Sequence, residues 1–168
     1  MALSRAEKRL VSLLGFDEDI CDMIKRECPG ILRRLTAFTE AGELEEAAAI
    51  AVAASRDEIG PMIDGLQPKL VPHGYRAFWS DIYEASRSRR IEVVTVLKTA
   101  DESEIIRMKR TCSGNYDVSN ESLLERVRSW REKCDFEIIG AGGEWVSILF
   151  ATLPGNICEF AEELYEFC

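Results

Sequence analysis

Apolar residues recur at helical spacing from the start of the chain: Leu3, Ala6, Leu10, Val11 and Leu14 fall on one face, with charges between them. A three-to-four-residue repeat keeps side chains on one side of an α-helix. It predicts amphipathic helices over 3–14 and 17–28, broken near Gly15 and stopped by Pro29-Gly30. Ile31, Leu32, Leu35 and Phe38 extend the reading to a third helical stretch at 31–39. The expectation is a helical N-terminal extension, 1–40, ahead of an α+β domain, 41–168.

The pattern changes at Ala47. AAAIAVAAS is a continuous run of small apolar residues, the signature of a strand buried on both faces. Ser55 and Glu58 have capping-box spacing for a helix that buries Ile59, Met62, Ile63 and Leu66 before Pro68 stops it. Pro61 lies deep in that helix, which leaves Asp57 as an alternative cap. Tyr75–Asp81 and Ile91–Lys98 read as strands, joined by the polar stretch EASRSRR.

A short helix near 101–110, a polar loop at 111–118 and a helix capped by Ser119 follow. Phe136–Ile139 and Trp145–Thr152 read as a hairpin across Gly140-Ala141-Gly142-Gly143, and Asn156-x-x-Glu159 opens a last helix. The order β-α-β-β, then α-α-β-β-α, predicts an α+β fold: two layers, with helices packed on a mostly antiparallel sheet of about five strands.

Charge narrows the partners. Thirty acidic residues against twenty-one basic give −9 at pH 7. Such a surface repels phosphate backbones and anionic headgroups, so neither nucleic acid nor a membrane is expected. A protein partner with a basic surface fits it better. The first thirty residues contain neither a signal peptide nor a membrane span, so a cytoplasmic location is expected. The six cysteines form no Cys-x-x-Cys pair and one histidine accompanies them, so they read as reduced thiols filling apolar space, with no metal site.

From Ile91 onward the order of features resembles a known family. IEVVTVLK, then IIRMKRTCSGNYDVS, a helix ending in Trp130, a hairpin, Leu153-Pro154 and a closing Tyr165-Glu166-Phe167-Cys168 are similar to a bacterial domain of unknown function, number 4253. LQPKLVPHGYRAF matches that family's approach to its second strand, so the resemblance spans roughly 47–168. The chain departs from the family where an acidic residue and a glycine usually precede the Asn. Here Cys112 and Ser113 stand there, and the family's Pro-Asp beyond the last cysteine is absent from this sequence. The resemblance implies a fold and a bacterial origin, and no activity.

Candidate chemistry centres on Gly114-Asn115-Tyr116-Asp117. Asn and Asp tolerate left-handed backbone and bond their own main chain, so the segment reads as a turn and helix entry. Its functional form places Asn115, Tyr116 and Asp117 beside the positive N-terminus of the following helix, a place suited to an anion, with His73 and Tyr75 completing a cleft. The Gly140–Gly143 run lacks the following helix that a phosphate loop needs. Any Cys/His pair must use His73, with Cys112 the most loop-exposed partner. No catalytic triad, elbow or cofactor motif is present, and the abundant carboxylates sit in solvated runs.

The reading therefore leans away from an enzyme. It favours a non-enzymatic binding or protein-interaction domain, self-associating as a homo-oligomer through unfinished sheet edges near Trp145. A small-ligand (anion) sensor or enzyme with a cleft near 113–117, and an immunity-type protein that neutralises a basic toxin, remain as alternatives.

Overall fold

Strands β3 (Tyr75–Glu84) and β4 (Arg89–Lys98) pair antiparallel along their whole length in the computed structural model, which describes residues 3–39, 41–84, 89–113 and 118–167. They form the centre of a six-stranded sheet. β2 (Leu44–Ala53) lies beside β4, with β1 (Arg33–Phe38) outside it. β5 (Phe136–Ala141) lies beside β3 in parallel, and β6 (Val146–Phe150) closes the order β1-β2-β4-β3-β5-β6. Every pairing except β3 with β5 is antiparallel. The α+β class and the mostly antiparallel sheet are as expected, with six strands in place of about five.

The added strand is β1, where a third helix was expected over 31–39. Leu35 and Ala37 point inward two residues apart, which is strand spacing, while Ile31 is exposed. A nine-residue helix is marginal by itself. Pairing with β2 satisfies the backbone instead, through a hairpin turn in which Gly42, at φ +78°, donates its N–H to the Thr39 carbonyl. Arg33–Phe38, expected to be part of the N-terminal extension, is thus a strand of the sheet.

Helices cover both faces, so there are three layers and not two. Successive side chains of a strand point to opposite faces. On one face, Ile50, Val52, Tyr75, Ala77, Val94 and Val96 meet α1 (Arg5–Leu14), α2 (Glu18–Glu27) and α3 (Arg56–Leu70). On the other, Ala49, Ala51, Phe78, Ile82, Val93 and Leu97 meet α4 (Ser103–Lys109), α5 (Asn120–Arg131) and α6 (Ile157–Phe167). The first two helices, predicted as an arm, thus close one of two cores.

Helix α3 runs through Pro61 and Pro68 to Leu70, beyond the predicted stop, with Ser55 as its cap. Each proline removes one helical hydrogen bond. Ile59, Ile63, Leu66 and Leu70 form a buried stripe whose contact with the sheet, at ~1.5–3 kcal/mol per side chain, outweighs that loss.

A buried ion pair locks the N-terminal helices. Glu7 of α1 accepts from the Lys25 ammonium of α2 at 2.7 Å, and from the Leu32 amide, just before β1, at 3.0 Å. Its second oxygen accepts the Ser4 amide at 2.8 Å, and Lys25 also donates to the Gly30 carbonyl. Burial pushes the Glu7 carboxyl up, but Lys25 and the two amides outweigh it and hold the group at about 2, against an ordinary 4.5. A carboxyl depressed in the folded state stabilises above its unfolded pKa and ceases to do so as pH falls through its folded one. Stability should therefore decline between about pH 4.5 and 2, and Glu7→Gln should cost about 3 kcal/mol at neutral pH and flatten that decline. Chemical denaturation of both proteins across this range tests it; equal stability at pH 7 would show that the pair contributes nothing.

Candidate functional site

The sheet curls where β1 and β2 meet. Two steps along β1, from Arg34 to Thr36, correspond to four along β2, from Ile50 to Glu46, and such an irregularity bends a strand. The bend brings β1 back to the far end of β3, although β2 and β4 separate them in the sheet. Phe38 and Tyr83 have ring centroids 5.8 Å apart, and Arg33 lies 3.9 Å from Glu84.

Lys109 fills the junction. Its ammonium donates to the Asp81 carbonyl at 2.7 Å and the Thr36 carbonyl at 3.4 Å, and lies 3.4 Å from the Asp81 carboxylate. Burial pushes its pKa down, and the Asp81 charge offsets part of that. One cation therefore joins α4 to β1 and β3.

The chain after Lys109 is held point by point. Arg110 adopts left-handed backbone, φ 52°, and ends α4. Thr111 Oγ1 donates to the Gly142 carbonyl at 2.7 Å, and the Cys112 amide to the Gly143 carbonyl at 2.9 Å. Ser113 and Val118 form a two-way bridge. Ser119 caps α5, as its position predicts, by accepting the Ser122 amide at 3.1 Å. Asn120 Nδ2 donates to the Ile106 and Thr111 carbonyls, which docks the start of α5 on the end of α4.

Between these segments and the β1–β2 hairpin lies an open groove of about 1250 Å³. Four basic side chains line it, Arg90, Arg107, Lys109 and Arg110, and four acidic ones, Glu43, Glu45, Glu121 and Glu144. Each basic group already faces a carboxylate. Arg110 meets Glu45 at 2.7 Å, Arg107 meets Glu104 at 2.6 Å, and both Arg90 and Lys109 reach Asp81. Glu43, Glu121 and Glu144 are exposed and have no basic partner among the described residues.

Asn115, Tyr116 and Asp117 lie outside the described residues; Ser113 and Val118, which flank them, line the groove. His73 and Tyr75 stand elsewhere, at the opposite end of β3. Tyr75 pairs with Lys98 while Tyr83 pairs with Arg90. Eight residues of strand separate the two ends, about 26 Å. Tyr75 is fully buried against Phe16, and its hydroxyl donates to Asp17 at 2.8 Å. Exposed His73 closes a short 3₁₀ turn. Cys112 is half-buried at the groove and does not share an end of β3 with His73. Cys21 and Cys28 are buried, and burial, helped by nearby carboxylates, pushes their thiols up to about 12 and about 11.

The Gly140–Gly143 turn is a hairpin, as expected, and its glycines seat an indole. A Cβ on Gly142 would stand 2.1 Å from Trp145 Nε1, and the Trp145 ring packs on Trp79 with centroids 4.6 Å apart and planes tilted by 44°. Trp145 is thus largely an intramolecular contact. Among the described residues no three His, Cys, Asp or Glu side chains gather as they would around a metal ion, and no helix is long and apolar enough to cross a membrane.

Pattern reading missed Phe38, Glu43 and Lys109. The Gly42 turn was the available signal for the first two; nothing local marks Lys109 as buried. Lys109→Met keeps the stem but removes the donor to the Asp81 and Thr36 carbonyls and leaves Asp81 only the half-exposed Arg90 at 3.6 Å, so a loss of about 3 kcal/mol is expected. A urea midpoint unchanged from the parent protein would show the pair to be dispensable.

Two comparisons, with curated proteins and with solved structures, find no match. A family model does match, that of a domain of unknown function, over residues 93–168, from within β4 to the chain end and so a shorter span than the resemblance suggested. The C-terminal part of the chain, which supplies α4, α5, α6 and the β5–β6 hairpin, matches the family model of a domain of unknown function, DUF4253.

Proposed function

We propose that this protein is a protein-interaction domain whose groove receives a basic segment of a partner protein. The observation that carries the reading is the charge balance of the groove. Its four cations share three carboxylates, Glu45, Glu104 and Asp81, while Glu43, Glu121 and Glu144 have no basic partner among the described residues and can meet incoming positive charge. The lining sums to zero, and Asp81 and Glu104 behind it add two negative charges. With −9 over the whole chain, the field favours a cation.

This balance weighs against an anion ligand despite the nearby start of α5. A helix terminus contributes about half a charge, less than the unpaired carboxylates present. An immunity-type role against a basic toxin is one case of the proposed chemistry and needs the same groove.

The test is fluorescence anisotropy with a Lys/Arg-rich peptide and a neutral peptide of equal length. The basic peptide should bind and weaken steeply as salt rises past the ~8 Å screening regime. Replacing Glu43, Glu121 and Glu144 together with Gln should weaken it about tenfold, at ~0.5 kcal/mol per lost pair. Salt-independent binding, or binding untouched by the triple change, would sink the proposal.

A second reading has its own support. β6, Val146-Ser147-Ile148-Leu149-Phe150, is an edge strand with no charged residue, and Leu149, Phe150, Leu153 and Ile157 are exposed near it. Natural edges are usually guarded by charge. Antiparallel pairing of β6 with β6 of a second copy, about a two-fold axis, would cover it. Light scattering should then give twice the 18.9 kDa chain mass, and Leu149→Lys should return the monomer. A monomeric parent at high concentration would remove this reading and leave the groove unaffected.

A further inference from the structure

We infer that Phe38 is the residue that selects the partner's side chain in this groove, its ring serving as a platform for an arginine or lysine. The inference rests on the groove being the seat of a basic segment, and specifies which chemistry that seat reads. Phe38 ends β1, and its burial does not follow from its neighbours: 37% of it is exposed, and that exposed part lines the groove.

The ring is fixed from behind. Tyr83 packs against it at 5.8 Å with planes tilted by 57°, and the hairpin places Leu44 opposite it across the strands. With 37% of Phe38 exposed, its contact with Tyr83 does not by itself call for an aromatic ring here. Its surroundings supply a reason for one. Glu43 and Glu45 come from the same hairpin, so an arriving cation would find the negative face of an aromatic ring and carboxylates within one side-chain reach.

The protein already uses this contact elsewhere. Arg56 lies over Trp79 at 5.5 Å, Arg126 over Phe167 at 5.2 Å and Arg131 over Phe136 at 4.9 Å. Among these aromatic–cation contacts none involves Phe38, whose ring contact is with Tyr83. The groove's own arginines are drawn to carboxylates instead, so the platform faces a cation from outside.

The test replaces Phe38 by a series of progressively fluorinated phenylalanines in the full chain, and measures affinity for the Lys/Arg-rich peptide by calorimetry. Fluorination drains the negative face while nearly conserving shape and apolarity. Affinity should fall stepwise, by about threefold to tenfold across the series. Phe38→Tyr should bind as the parent does, and Phe38→Leu should lose the same factor as the most fluorinated ring. Circular dichroism and a thermal melt confirm that each variant is folded. A flat fluorination series overturns the inference. If the series is flat while the Glu43, Glu121 and Glu144 triple change still weakens binding, the groove remains a seat for a basic segment and only the role of Phe38 falls. If the parent binds no basic peptide, both readings fall together.

Discussion

Three central strands, β2, β4 and β3, are apolar on both faces, and the rest of the molecule is arranged to keep both out of water. Ile50 and Val52 point one way and Ala49 and Ala51 the other; Val94 and Val96 oppose Val93 and Leu97. A sheet of this kind cannot present either face to solvent without losing ~1.5–3 kcal/mol per large side chain. It requires helices on two sides, and the chain supplies three for each. Small Ala49 and Ala51 share one core with bulky Phe78 and with the buried side chains of α4 and α5.

Covering both faces creates junctions where segments distant in sequence must be joined, and buried charge serves at two of them. Glu7 and Lys25 close α1 on α2 and fix the entry to β1 through the Leu32 amide and the Gly30 carbonyl. Lys109 joins α4 to β1 and β3 through two carbonyls and the Asp81 carboxylate. Hydrophobic contact would supply comparable stability at either place, but it is indifferent to direction. A buried ammonium needs acceptors at defined positions, so it selects one docking geometry over others nearby.

The groove is a consequence of that geometry. The bend in β2 swings the hairpin outward, Lys109 ties its base to α4, and the left-handed Arg110 turns the chain toward α5. What remains between hairpin and helix is a channel with its positive charges internally matched and its rim carboxylates free. The electrostatic character is therefore set by pairing, and a count of basic residues in the lining would have suggested the opposite ligand.

Much of this was legible in the residues themselves, and the reason is period. Strands β2, β3 and β4, the Ser55 and Ser119 caps, the glycine hairpin and the helices α1 to α6 follow from spacing and turn chemistry within a dozen residues. The α+β class follows from their order. Three things were decided only by the tertiary structure. β1 carries a helix-like pattern, and its pairing with β2 overrode it. Helix α3 continues through two prolines because its buried stripe outweighs two lost hydrogen bonds. The groove unites residues as far apart as Phe38 and Glu144, and separates them from His73 and Tyr75 by the length of a strand. Local sequence determines which element a segment prefers, because propensity and capping act over one or two turns. Which side chains finally face one another depends on how a sheet curls, and that is settled by contacts that no local window contains.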